Sequence, residues 1–186
     1  MKAMLVRFLG SVGAMLLVAI LWMILFRLNL VLFQGSQHSR WADWVFLPAA
    51  VRIVAVLLLG WRGVAGLVLG AWFTLRPEDA QIVPHALVLP LSSGLGPWIA
   101  IWLWRRMTGL RDDLAGLRAG DIVGLALGCA VANTTLLNLF LTLCGDSRQD
   151  VVQIATIVVG DAAGIMLVLL PTALLLSVVK RPKAVR

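Results

Sequence analysis

The chain has 186 residues, 61% of them hydrophobic and 13% charged, with a formal net charge of +7. A soluble domain of this length has too little interior to hide so much apolar surface, which excludes cytosolic enzymes and nucleic-acid-binding modules. The expectation is a single integral membrane domain over residues 1–186, an all-α polytopic helical bundle in which the positive charge is read by its location.

Six apolar segments follow in order, near residues 8–33, 44–60, 64–76, 84–104, 121–143 and 151–179. About 20 apolar residues span a bilayer core, so about six transmembrane helices are expected. The opening run "MKAMLVRFLGSVGAMLLVAILWMILF" starts like a signal peptide. Its apolar part is too long and no small-x-small cleavage site follows, so it reads as a retained first helix. Segments two and three are short and joined by "GWRG", which also fits a tilted hairpin or one re-entrant unit.

Charge orients the bundle. With the N-terminus inside, one side collects Lys2, Arg7, Arg62, Arg105, Arg106, Arg111, Arg118, Lys180, Arg181, Lys183 and Arg186, and the other only Arg40, Arg76 and Arg148. The positive-inside rule then puts both termini in the cytoplasm. The basic tail "KRPKAVR" (180–186) is expected to grip anionic lipid headgroups. Trp41, Trp44 and Trp72 fall at predicted outer ends and Trp61, Trp102 and Trp104 at inner ends, as interfacial anchors do, while Trp22 and Trp98 sit deeper.

Small residues recur every four positions at Gly66 and Gly70, at Gly120, Gly124 and Gly128 with Ala132, and at Gly160 and Gly164. Such faces let backbones approach closely, which marks segment five as the expected central helix. Cys129 and Cys144 share a predicted helix about 22 Å apart and cannot bridge. No phosphate-binding loop, HExxH or CxxC pattern is present. "GDS" at 145–147 has no nearby His, so no catalytic residue, metal site or cofactor is expected.

The most informative feature is ionisable chemistry inside hydrocarbon. Counted from the predicted outer ends, Asp161 lies about 15 Å deep, Arg52 about 12 Å and Arg27 about 10 Å. Asn133 and Asn138 reach similar depths, with His85 and Gln153 nearer the surface. Intramembrane charges face the bundle interior and find partners. An Arg52–Asp161 ion pair is expected, with Arg27 competing for the same carboxylate. Pro48 within segment two frees a carbonyl as a further acceptor and kinks the helix. The bland reading of such a pair is a lock between helices two and six. The functional one is a count: two arginines and one aspartate leave a positive charge in excess, pointing to a pocket for a small anion lined by Arg27, Arg52, His85, Asn133, Asn138 and Asp161.

The stretch "WADWVFLPAAVRIVAVLLLGWRGVAGLVLGAWF" (41–73) resembles the membrane-associated sensor domain of the MASE type (type one), with its Trp-Pro-x-Gly-like opening, Leu-rich run, Gly, aromatic or basic turn and "LG". "VVGDAAGIMLVLLP" (158–171) is similar to that family's closing Gly-Asp-x-x-Gly, aliphatic run and Pro. The resemblance implies a sensory module of the bacterial inner membrane, usually fused to cyclase, phosphodiesterase or kinase output domains. It marks Pro48, Gly60, Gly70, Gly160, Asp161, Gly164 and Pro171 as framework positions. The chain departs from the family in having six expected spans where about eight are usual, Ala49 and Ala50 where a Gly is usual, and no output domain after Arg186.

The leading expectation is therefore a sensory or scaffolding subunit, not an enzyme, that binds a small ligand or a partner membrane or signalling protein. A substrate-binding subunit of an energy-coupling-factor transporter is similar in size and span number, although segment one offers only Gly10, Gly13 and Ala14 as a docking face. An assembly factor of a larger membrane complex is the third class.

Overall fold

The structure is a computed structural model that describes residues 2–33, 35, 37–39, 42–109, 119–145 and 151–179. Its elements run α1 (Lys2–Leu32), β1 (Gln37–Ser39), β2 (Ala42–Asp43), α2 (Pro48–Leu59), α3 (Trp61–Phe73), α4 (Pro77–Ala80), α5 (Val83–Thr108), α6 (Ala119–Leu143) and α7 (Val151–Val179). The six apolar segments each become one helix. What the hydropathy pattern lacked is a two-residue-register hairpin, with Gln37 opposite Asp43 and Ser39 opposite Ala42, and the single turn of α4. The tail 180–186, Arg40, Trp41, Arg111, Arg118, Asp146, Ser147, Arg148 and Asp150 lie outside the described residues.

Among the described residues four stretches are long and apolar enough to cross a membrane: Val6–Leu32, Val83–Thr108, Gly120–Leu143 and Val151–Leu169. Their outward faces are apolar, as lipid contact requires. Val6, Leu17, Ile24, Leu103, Leu127 and Leu167 are all exposed. The 12 residues of α2 and 13 of α3 give lengths of only about 18 and 20 Å. They form a helical hairpin turned at one residue, Gly60, whose φ of 56° and ψ of −128° only glycine adopts without strain.

The central element is α2, not α6. It packs against α1, α3, α5, α6 and α7, and eight of its residues, from Pro48 to Ile53 plus Ala55 and Val56, are buried. Alanine and β-branched side chains all round the helix permit this, because each neighbour can come close on its own side. The glycine run of α6 does not form the expected seam. Among the described residues a Cβ at Gly120 or Gly128 would meet nothing within 4 Å, and one at Gly124 would run into the Trp104 ring. Four-residue spacing puts glycines on one face but does not decide whether a helix lies against it. The close approaches fall elsewhere. Gly66 and Gly70 seat α3 on α1 at Met15, Val18, Ala19 and Trp22, Gly63 lies on the Ala55 carbonyl, Gly94 on Val64, and Gly96 on the Asn133 backbone.

Residues 42–47 are not helical, and Pro48 begins α2 as its first residue instead of kinking it. Proline has no N–H, and at that position the N–H of any other residue would lack an intrahelical partner. The Leu47 N–H that precedes it is taken by Asn29 Oδ1 of α1 at 2.8 Å. The segment then lies along α7, where the Phe46 N–H donates to the Gly160 carbonyl at 3.0 Å. Gly160 and Gly164 are bare because the carbonyls of Asp43 and Phe46 occupy the space their side chains would fill. These two glycines thus seat a loop, not a helix.

At the same end of the bundle α3 stops early. Trp22 Nε1 donates to Thr74 Oγ1 at 2.9 Å, so α3 ends beside Trp22 while α1 continues for about 15 Å. Residues 74–82 therefore descend between longer helices and bring polar side chains with them.

Adding a methyl group at Gly160 or Gly164 presses on backbone that has nowhere to move, an overpacking cost of about 1–3 kcal/mol. Gly160→Ala and Gly164→Ala should each lower the thermal unfolding midpoint of the detergent-purified protein. Gly120→Ala and Gly128→Ala should leave it unchanged or raise it slightly, because Ala favours helix over Gly by about 1 kcal/mol.

Candidate functional site

Three helices converge on one carboxylate oxygen. Arg52 Nη1 of α2 lies 2.6 Å from Asp161 Oδ2 of α7, and Asn133 Nδ2 of α6 donates to the same oxygen at 2.9 Å. All three residues are buried, at 6, 3 and 3% exposure for Arg52, Asp161 and Asn133. The guanidinium also has its carbon 5.2 Å from the Trp22 ring centre and 5.1 Å from that of Phe46. Trp22 and Phe46 meet edge to face at 5.8 Å, and Phe26 braces Phe46 at 6.4 Å. Aromatic faces attract a cation that has lost its water, so the guanidinium is held by one acid and two rings, while the Asn133 amide steadies the acid.

Each position follows from local sequence. Arg52 sits one turn into α2, whose start is fixed by Pro48 and the Asn29 bond. Asp161 directly follows Gly160, so the loop that Gly160 accepts also carries Phe46 over the guanidinium. Asn133 is brought close because Gly96 of α5 has no side chain to hold α6 away.

Beside the cluster is a cavity of about 150 Å³ whose walls mix apolar and polar side chains. Its walls include Trp22, Phe26 and Phe46 with Arg52 and Asn133, Ser92 and Ser93 from α5, and Thr74, Arg76, Asp79 and Asp43 from the loops. A smaller space of about 80 Å³ shares Asp43, Phe46, Arg52, Asn133 and Leu137 with it and reaches Asp161. Two buried atoms in this wall have no hydrogen-bond partner among the described residues: Nε of Arg52 and Oδ1 of Asn133.

Of the six residues expected to gather, the structure brings together Arg52, Asn133 and Asp161. Arg27 is exposed. It lies five residues beyond Trp22, which turns it about 140° from the inward face of α1. Asn138 is likewise five residues beyond Asn133 and about 140° round α6. It lines a separate groove with Thr134, Thr135 and Thr142 and donates to the Thr134 carbonyl at 2.7 Å. His85 is buried behind the cavity, with Nδ1 3.5 Å from Asp79 Oδ1. The surplus cation that favoured an anionic ligand depended on Arg27. Without it, the Arg52–Asp161–Asn133 cluster holds one cation and one anion.

Sequence reading missed Trp22, Phe46, Asn29 and the serines at 92 and 93. A signal was present for Trp22, too deep for an interfacial anchor, and for Asn29, an amide two residues beyond Arg27. Among the described residues no group of three His, Cys, Asp or Glu is placed to hold a metal.

Removing one member of a buried ion pair leaves the other uncompensated, at a cost of about 3–5 kcal/mol. Arg52→Ala and Asp161→Ala should each destabilise the protein on that scale in a denaturant titration in micelles. The double substitution should cost less than their sum by at least about 1 kcal/mol, and Arg27→Ala should fall within about 0.5 kcal/mol of the wild type.

The family model MASE1 matches residues 14–184. No curated protein and no solved structure matches the chain. The match takes in α1 from about its fourth turn onward, the loop on α7 and the whole Arg52–Asp161–Asn133 cluster. The chain therefore belongs to the MASE1 family of membrane-bound sensory domains.

Proposed function

We propose that this chain is a non-catalytic sensory module of the bacterial inner membrane that admits a small solute from the periplasmic side and hands a change in helix packing to a partner membrane or signalling protein. The observation that carries this reading is the cavity of about 150 Å³ lined by Arg52 of α2 and Asn133 of α6, the two residues that bind Asp161 of α7. A solute that binds there can shift the equilibrium between two packings only through contacts that differ between them. The Arg52–Asp161 pair is such a contact, because it is the polar tie between the central helix and α7.

In this reading both termini are cytoplasmic and the loops at 33–47, 74–82 and 144–150 face the periplasm, following the positive-inside asymmetry. The α2–α3 hairpin completes six crossings. Its tip carries Trp61 and Arg62, whose guanidinium carbon is 5.9 Å from the Trp61 ring centre, a pairing suited to headgroup depth. The tail 180–186 holds anionic lipid on the cytoplasmic face. The walls of the cavity do not favour an anion, since Asp43, Asp79 and the neighbouring Asp161 stand against Arg52 and Arg76.

Cysteine accessibility tests the arrangement. In a background of Cys129→Ala and Cys144→Ser, Ser93→Cys should react with a membrane-impermeant thiol reagent added to the periplasmic face of intact cells. Reaction from the cytoplasmic face of inverted vesicles alone would reverse the orientation and remove the proposed entry route.

A further inference from the structure

Building on that reading, we infer that the cavity is selective for a small uncharged molecule bearing a carboxamide or urea group, whose carbonyl accepts from Arg52 Nε–H and whose N–H donates to Asn133 Oδ1. The two vacant positions are a donor and an acceptor on neighbouring side chains, because Arg52 Nη1 and Asn133 Nδ2 already meet on one oxygen of Asp161. Arg52 and Asn133 are each more than nine-tenths buried, and both line the cavity. Water-exposed atoms would be satisfied by solvent. A buried polar atom without a partner is costly, so these two define what the site accepts.

Three features narrow the ligand. The guanidinium carbon has two aromatic rings within cation–π range, at 5.2 and 5.1 Å, Nη1 is held by Asp161, and Nε is the unpartnered in-plane donor, which suits a planar partner. A carboxylate offers acceptors only. It would satisfy Nε–H but set an oxygen against the lone pairs of Asn133 Oδ1, close to Asp161 and with Asp43 and Asp79 in the walls. An ammonium offers donors only and leaves Nε–H vacant. A carboxamide supplies both from one rigid group. The volume of about 150 Å³ equals about five waters at their liquid share, which suits a molecule the size of propionamide.

The test uses the full chain carrying Ser93→Cys in the cysteine-substituted background, with propionamide, propionate and propylammonium as isosteric probes that slow the thiol labelling. Propionamide should protect at a concentration at least tenfold lower than either charged probe. Arg52→Lys keeps a cation for Asp161 but removes Nε–H, and should raise the protecting concentration of propionamide at least tenfold, judged against that variant's own labelling rate without solute. If Arg52→Lys alters that basal rate, the selectivity of the Ser93→Cys protein with Arg52 intact decides. Preference for propionate or propylammonium overturns the carboxamide assignment and leaves the periplasmic cavity standing. Labelling that none of the three probes slows overturns the assignment as well, whereas absence of labelling from the periplasmic face overturns the reading on which it rests.

Discussion

A guanidinium buried among apolar helices has to be neutralised, hydrogen-bonded and covered, and the rest of this fold is arranged to do so for Arg52. The acid comes from α7, the amide from α6, one ring from α1 and the other from the loop before α2. Four stretches of chain thus bear on one side chain, three directly and α6 through the aspartate it holds. Charge in such a setting is costly unless its partners are fixed in advance. The neighbouring contacts supply that fixing: Asn29 holds the start of α2, Gly160 and Gly164 seat the loop, and Gly96 lets α6 come near.

The two stretches that resemble the sensor family in sequence are far apart in the chain and adjacent in space. Residues 41–73 provide Phe46, the Pro48 start and Arg52, while residues 158–171 provide the two glycines and Asp161. Within the Gly-Asp-x-x-Gly pattern the glycines accept the loop backbone and the aspartate accepts the guanidinium. The spacing follows from helix geometry, since positions 160, 161 and 164 share one side of α7 across a single turn. The pattern is therefore a docking surface for the earlier stretch.

Polarity above the cluster comes from a length mismatch. Because α3 is 13 residues long and ends beside Trp22, the loop that follows lies between taller helices and carries Arg76 and Asp79 into the cavity wall. A longer α3 would fill that space with apolar side chains. A packed core tends to switch between discrete arrangements and not to deform continuously. A polar gap placed beside the tie between α2 and α7 is a suitable point from which to bias such a switch.

Composition and hydropathy by themselves determined that the chain is a helical membrane protein, where its six apolar segments lie, and that Arg52 and Asp161 sit at one depth, because burial in hydrocarbon is written into every residue of a segment. The glycine and aspartate spacing also carried the family resemblance. Only the tertiary structure decided which residues of equal depth face one another. Arg27 and Asn138 match the cluster in depth but are turned away by about 140° from Trp22 and Asn133, and no periodicity in nearly uniformly apolar helices marks the inward face. It likewise placed α2 at the centre in preference to the glycine-rich α6, and put a loop on Gly160 and Gly164. The reason is physical: depth is a property of one helix and can be counted along it, whereas azimuth and close approach depend on which neighbour arrives, which is settled only when all the helices pack together.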